Sequence, residues 1–270
     1  MKQKDLHDFK DVAQNYDLYL DVMYQKEDNH AGFLDFYLDF ARQYGKDGVI
    51  DIACGTGAVL LHLAENGINA DGTDLSEEMC HVAEEKAKAK GFNLNIFPAD
   101  MTEFRSNKKY SCAIIARSGF MHLTTPKLQR AALLNIRENL VDSGMLTFNT
   151  FDPYPAFQTE QMNTKDTDYS FRLEYTNKQG SRERIYNAIS YDPYTQIMSG
   201  NWKFETLDDF DGHVISERIR PLKMRQTYRQ EMKYLLELTG YEIVNVYGGY
   251  NKESADHLAK NVIWCVRKKQ

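Results

Sequence analysis

The chain is short of several things, and each shortage removes a class of protein. Its 270 residues include only four cysteines, Cys54, Cys80, Cys112 and Cys265, scattered without paired spacing. That leaves neither a zinc-ligand pattern nor a disulfide framework, and it suits a reducing cytoplasm, the expected location. No apolar run approaches the roughly 18 residues that a membrane-crossing helix requires. The opening stretch MKQKDLHDFKDV lacks the apolar core of a secretion signal. Basic charge is scarce as well: 33 Lys and Arg stand against 39 Asp and Glu, a formal net charge of -6. A tight grip on a nucleic-acid backbone needs a basic footprint, so neither nucleic acid nor membrane is an expected partner. There is no internal repeat and no low-complexity tract. What remains, 42% hydrophobic and 27% charged, fits one soluble domain with an elaboration, or one and a half domains.

One further absence is a glycine. Val49 to Leu60 reads VIDIACGTGAVL, a short apolar run, a glycine-rich turn and the start of an apolar-periodic helix. A strand that turns straight into a helix offers backbone N–H groups to a ligand. Asp74, at the end of the next short run, can accept hydrogen bonds from a ribose diol. Gly55 and Gly57 supply the first two glycines of the dinucleotide fingerprint, but its third position is Leu60. That third glycine lets a helix pack close to a strand beneath a pyrophosphate, so its loss argues against a nicotinamide dinucleotide and for a smaller ligand.

The rest of the pattern predicts an α/β fold. Residues 6 to about 45 place aromatics and aliphatics at helical spacing and read as two helices broken near Asp28 to His30. Strand–helix alternation follows, with strands at 49–53, 68–73, 94–97, 110–116 and 145–150 and helices at 58–65, 76–90 and 126–141, which implies a parallel sheet covered on both faces. Residues 156–168 are polar and read as a mobile connection. From 170 to about 223 the period becomes two, with turn signals at K-Q-G, D-P-Y and D-D-F-D-G, predicting an antiparallel insertion of three or four strands. Helix and strand signals return at 226–238, 242–247 and 261–266. The boundaries expected are a helical cap at 1–46, a Rossmann-like body at 47–155 and 226–270, and the insertion at 156–225.

The string D-I-A-C-G-T-G resembles the first motif of class I S-adenosylmethionine-dependent methyltransferases, with Ala53 where that motif usually has its first glycine. The element order resembles the same architecture: a Rossmann-like seven-stranded methyltransferase sheet with N-terminal helices and an antiparallel β insertion after strand five. The insertion narrows the likeness to the bacterial small-molecule branch, which includes nucleotide-sugar N,N-dimethyltransferases and glycine N-methyltransferase-like enzymes. In those families such an insert covers the active site and sometimes builds a dimer. The resemblance implies S-adenosylmethionine as cofactor, a small-molecule acceptor with an amine nitrogen favoured, and a monomer or homodimer. A tRNA or protein methyltransferase, or a non-catalytic S-adenosylmethionine-binding module, remains the alternative.

It also assigns residues. Ala53, Gly55 and Gly57 would let the methionine portion lie close to the backbone. Asp51 would act on the ligand's amino group or steady the glycine turn. Asp74 would take the ribose, against the alternative of capping the helix at Ser76. Leu75 and Met79, in D-L-S-x-x-M, would pack on the adenine or simply fill the core. In P-A-D-M, Asp100 would accept from the adenine amino group, with Ala99 and Met101 near the ring; its alternative is a loop cap. The segment A-R-S-G-F-M-H-L puts Ala116 and Arg117 on the cofactor side and His122 at the pocket mouth, as base, substrate-orienting group or loop cap. Tyr16, in N-Y-D-L-Y, would contact cofactor or substrate and share the catalytic work with His122, and Tyr24 would follow it; core aromatics are the alternative for both. No metal is expected. Five tyrosines of the insertion, Tyr169, Tyr175, Tyr186, Tyr191 and Tyr194, would form a π-rich roof if they share one face.

Overall fold

The computed structural model describes residues 12–25, 32–151, 162, 164–165, 167–257, 259 and 261–270, with side chains of the first segment described to Met23. The connection expected at 156–168 falls largely outside the described residues. The chain divides into two compact units, residues 1–29 with 153–226 and residues 30–152 with 227–270. The segment expected as a single cap, 1–46, is therefore shared: its first helix belongs with the insertion and its second with the Rossmann-like body.

The larger unit runs α2 (Phe33–Tyr44), β1 (Val49–Ile52), α3 (Ala58–Glu65), β2 (Asp71–Asp74), α4 (Glu77–Ala89), β3 (Ile96–Pro98), β4 (Tyr110–Ile115), α5 (Pro126–Asn139), β5 (Leu140–Phe151), α6 (Arg229–Leu238), β10 (Tyr241–Tyr247) and β11 (Asn261–Lys268). Its seven strands lie in the order β10-β11-β5-β4-β1-β2-β3. The strands from β3 to β5 are parallel, while β11 runs antiparallel to β5 and β10 antiparallel to β11. Strand order reverses at β1, where open sheets of this kind keep their ligand crevice.

Alternation along the strands builds two cores. Val49, Cys112, Ile114, Met145 and Ile263 pack with Phe36, Tyr37 and Phe40 of α2 and with Val59, Leu60 and Leu63 of α3. Ile50, Ile52, Ala113, Ile115, Leu146 and Phe148 pack on the opposite face with Leu133 and Ile136 of α5 and Met232 and Leu236 of α6. This is the period of two expected of strands buried on both faces. Local chemistry sets the helix starts. Ser76 Oγ accepts from Met79 N at 3.3 Å to cap α4, whose first turn carries Glu77 and Glu78 and whose last carries Lys86 and Lys88. Thr125 Oγ1 accepts from Leu128 N at 3.2 Å at the head of α5, which opens with Pro126. Among the boundaries that moved, β2 starts later than expected and ends on Asp74, the helix expected from 226 starts at Arg229, and β5 extends back to Leu140 with Ser143 at φ 61° in its bulge.

The smaller unit has α1 (Tyr16–Gln25) and an antiparallel sheet in the order β6 (Ser170–Thr176), β7 (Arg182–Asp192), β8 (Ile197–Leu207), β9 (Val214–Arg225). Tyr19 and Leu20 of α1 pack with Leu173, Tyr175, Ile185 and Phe204 of the sheet. Within it Glu183, only 2% exposed, accepts from Arg218 Nη1 and Nη2 at 3.2 and 2.9 Å, from the Tyr175 hydroxyl at 2.5 Å and from Asn177 Nδ2 at 3.1 Å. Among the described residues no helix is long and apolar enough to cross a membrane.

Candidate active site

Three turns at the carboxyl ends of β1, β2 and β4 converge. The turn after β1 is held in the left-handed region at three places: Ala53 at φ 57°, Gly55 at 55° and Gly57 at 81°. A residue with a Cβ pays for that conformation, which is why glycine is usual where Ala53 stands. A Cβ added to Gly55 would meet nothing within 4 Å, so the backbone there faces open space, whereas one on Gly57 would come within 3.0 Å of Ala83 Cβ. Lys86 Nζ donates to Thr56 O at 2.8 Å and ties the turn to α4.

Asp74 joins the turns after β1 and β2. Its Oδ2 accepts from Gly55 N at 2.8 Å and its Oδ1 from Ser76 N at 2.9 Å. Burial raises its pKa above the usual carboxylate range, against the pull of these backbone donors. Each carboxylate oxygen has a second lone-pair direction, so the group retains acceptor capacity. The cap of α4 is Ser76 itself, and Asp74 supports the residue that caps.

Asp51 lies between its register partners Gly72 and Ile114 and is 1% exposed. Neither of its oxygens meets a hydrogen-bond donor among the described residues. Burial drives its carboxyl well above the ordinary range, Asp74 adds to the rise, and Arg117 opposes it. It shares a strand face with Val49 and α2, and its charge contributes, after burial and Tyr250, to the raised pKa of the Tyr37 hydroxyl.

After β4, Arg117 at φ 50° and Ser118 at φ 59° are consecutive left-handed residues leading into a 3₁₀ turn, Gly119–His122. The Arg117 guanidinium lies 5.0 Å from the centroid of Phe33. A Cβ on Gly119 would approach Ala53 Cβ to 3.0 Å, so this turn and the turn after β1 touch. Ala116 is buried, and His122 is half-buried with its Nδ1 turned inside. On the β2–β3 side Ala99 N donates to Asp74 O at 2.8 Å. Asp100 Oδ1 accepts from Thr102 N and Thr102 Oγ1 at 2.8 and 2.7 Å, an arrangement that caps its own loop and leaves Oδ2. Ala99 and Met101 are half-buried against the apolar cluster on the α5 side.

The larger unit thus carries Asp51, Ala53, Gly55, Gly57, Asp74, Leu75, Ala99, Asp100, Met101, Ala116, Arg117 and His122 on β1 and β2 or in the segments that follow β1, β2, β3 and β4. Met79 is 2% exposed and its surface is taken up in packing. Tyr16 belongs to the other unit, where its ring meets Tyr19 edge to face at 5.4 Å. Tyr24 is a helical residue whose side chain lies outside the described residues. The roof of five tyrosines does not form on one face. Tyr175 and Tyr191 are buried, Tyr169 and Tyr186 flank Lys203, and Tyr194 is 94% exposed in the β7–β8 turn. Alternation along β7 sends Tyr186 and Tyr191 to opposite faces, a bulge interrupts β6, and Tyr194 sits in a turn.

Three residues escaped the sequence reading. Gly72 is where the close helix–strand approach is made: a Cβ there would collide with Leu60 Cδ1. The small residue is on the strand and not in the helix, and its signal was a lone glycine in a short buried run. Asn149 and Gly119 were the others. A polar residue inside the apolar run M-L-T-F-N-T-F marked Asn149.

Residues 49–144 match the family described as "Methyltransferase domain". Over that stretch the chain is similar to methyltransferase domains. A putative methyltransferase of Geobacillus sp. (strain WCH70) is 30% identical over 136 residues, 48% of this chain and 55% of that protein. A carboxy-S-adenosyl-L-methionine synthase of Campylobacter jejuni is 28% identical over 153 residues, 55% and 63% of the two chains. A dTDP-3-amino-3,4,6-trideoxy-alpha-D-glucopyranose N,N-dimethyltransferase of Streptomyces venezuelae is 26% identical over 137 residues, 44% and 56%. The chain thus spans little more than half the length of the curated relatives it matches. Across whole chains, an S-adenosylmethionine-dependent methyltransferase from Clostridium acetobutylicum superposes with a TM-score of 0.77 at 16% identity, covering 97% of this chain and 99% of that one. The fold is that of class I S-adenosylmethionine-dependent methyltransferases.

Proposed function

We propose that the protein is an S-adenosylmethionine-dependent methyltransferase acting on a small molecule, with an amine nitrogen as acceptor. The observation that carries this reading is Asp51, a buried carboxylate with no donor among the described residues, beside a turn whose Gly55 backbone faces open space. An unpaired buried carboxylate is costly, and a ligand ammonium supplies both donors and charge. When bound, S-adenosylmethionine supplies a methyl group on a sulfonium, a leaving group that is already activated.

The chain's share of the work is then positioning. Asp51 would hold the ligand's amino group, Ala53, Gly55 and Gly57 its methionine portion, and the free lone pairs of Asp74 its ribose. Asp100 Oδ2 would take the adenine amino group, with Leu75, Ala99 and Met101 beside the ring and Ala116 and Arg117 along the β4 side. Well-oriented reactants reach effective molarities of about 10⁵–10⁸ M. His122 would take the proton from an acceptor ammonium, a contribution of roughly 10²–10⁴-fold. The name of the Streptomyces venezuelae relative supports an amino sugar as the model for the acceptor.

Calorimetry with S-adenosylmethionine and S-adenosylhomocysteine tests the cofactor, with Asp74→Ala expected to weaken binding about tenfold or more. Undiminished binding in that variant, or none to wild type at about millimolar ligand, refutes it. Methyl transfer from labelled cofactor to a library of amines and alcohols tests the acceptor. Loss of turnover in His122→Ala is expected.

A further inference from the structure

Asn149, on β5 and 4% exposed, is a buried amide with every polar atom engaged. Its Oδ1 accepts from Ser118 N at 2.8 Å and from the Tyr37 hydroxyl at 3.5 Å. Its Nδ2 donates to Ser118 Oγ and to Asn261 Oδ1, both at 3.0 Å. Two of these four contacts go to one residue, and that residue is strained. Ser118 follows Arg117 in the left-handed region, and neither is glycine. Each such residue disfavours the conformation by roughly five- to thirtyfold, so two in succession persist only if the surroundings hold them.

We infer that Asn149 is a positioning residue: its amide holds the Arg117–Ser118 pair left-handed and thereby sets the loop that carries Ala116, Arg117 and His122. The chemistry demands this side chain. The site needs an acceptor for a backbone N–H and, one atom away, a donor for a hydroxyl oxygen, at the reach of two side-chain carbons. Asparagine meets all three conditions. Aspartate keeps the acceptor and loses the donor, serine is too short, and leucine has neither group. The following turn depends on the same hold, because Met121 N donates to Ser118 O at 2.9 Å and Gly119 N to Ala116 O at 3.0 Å. The consequence for cofactor binding rests on the function proposed above; the hold itself does not.

Hydrogen exchange at the Gly119 and Met121 amides of the ligand-free protein reads the hold directly. Asn149→Ala is expected to speed exchange at both about tenfold or more, with the α5 amides unchanged. Ser118→Gly in the same chain should restore slow exchange, because glycine takes φ near 59° without the Cβ penalty. A residue that merely filled the core would not be rescued this way. Asn149→Asp, nearly isosteric, should give an intermediate increase and carries the test if the alanine variant does not fold. Unchanged exchange in both single variants, or no rescue by glycine, overturns the inference. Affinity for S-adenosylhomocysteine, measured alongside, should fall about tenfold in Asn149→Ala and return in the double variant. If wild type binds none, the proposed function fails while the exchange data still judge the role of Asn149.

Discussion

Replacing Asp51 with asparagine should make the ligand-free protein more stable and the ligand-bound protein less so. The carboxylate is 1% exposed and lacks a donor among the described residues, so folding strips its water and returns nothing but the distant pull of Arg117. The amide that replaces it is also short of partners but carries no charge. Removing the buried charge while leaving an unpaired amide is worth about 1–3 kcal/mol, and each kcal/mol moves the midpoint of a unit this size by about 2–4 °C. The pH dependence has a definite sign. An unfolded aspartate titrates near about 3.9, while burial, and after it Asp74, raise the folded group well above its ordinary value. Between the two values the native state keeps a proton that the unfolded chain has lost, so wild-type stability falls as pH rises through that window. The advantage of Asp51→Asn should therefore be largest on the alkaline side and vanish as pH drops toward the unfolded value. Saturating S-adenosylhomocysteine, at about 100 times its Kd, should add about 2.7 kcal/mol to wild type. The variant should lose most of that, and the order of the two midpoints should invert wherever the ligand-free advantage is smaller than that loss. Thermal unfolding followed by circular dichroism across pH, with and without ligand, measures all four quantities. A ligand-free variant less stable than wild type above neutrality, or one that keeps the full ligand-induced shift, would refute the reasoning.

Two other outcomes follow from packing. Gly72→Ala should destabilise the larger unit by roughly 1–3 kcal/mol because its Cβ meets the fully buried Leu60, and adding Leu60→Ala should recover part of that loss by opening the space; paired chemical denaturation curves decide it. In the smaller unit Arg218→Met leaves Glu183 buried beside Tyr175 with its charge uncompensated, at a cost of about 2–4 kcal/mol. Burial alone would raise the Glu183 pKa, but Arg218 and Tyr175 outweigh it and hold the group low. Wild type should therefore lose stability as pH falls through that lowered value. Arg218→Met should lose less over the same range, read as a smaller acid shift of the unfolding midpoint.

The fold was legible because its signals are local. Alternation in β1 and β4, the cap at Ser76 and the Pro126 start of α5 each lie within a few residues, and each element formed where its chemistry pointed. The glycine turn and Asp74 were legible for the same reason. What escaped was chemistry that is local only in space. Asn149 stands 31 positions from Ser118 in the chain, and the close packing at Leu60 is answered from another strand by Gly72. A missing glycine in one motif thus reads as an absence until the sheet shows the compensating one next door. The tyrosines of the insertion failed for another reason: Tyr186 and Tyr191 are an odd number of positions apart on β7, so alternation itself sends them to opposite faces, and a bulge interrupts β6.

Strain marks the site independently of any motif. Among the described residues six non-glycine positions have positive φ, and three of them, Ala53, Arg117 and Ser118, fall on the two turns that meet at Gly119. The other three, Ser143, Gln196 and Lys252, occupy a bulge, a hairpin turn and a loop, where such angles serve chain reversal. Ala53, Arg117 and Ser118 instead open the connections that follow β1 and β4. A fold that keeps side chains in left-handed positions there, and supports one with a fully engaged buried amide, is spending stability on the placement of backbone groups around an opening. Those left-handed turns and the unpaired Asp51 carboxylate both lie at the carboxyl ends of strands beside the switch point of the sheet, where the ammonium and ribose of the proposed cofactor would supply partners.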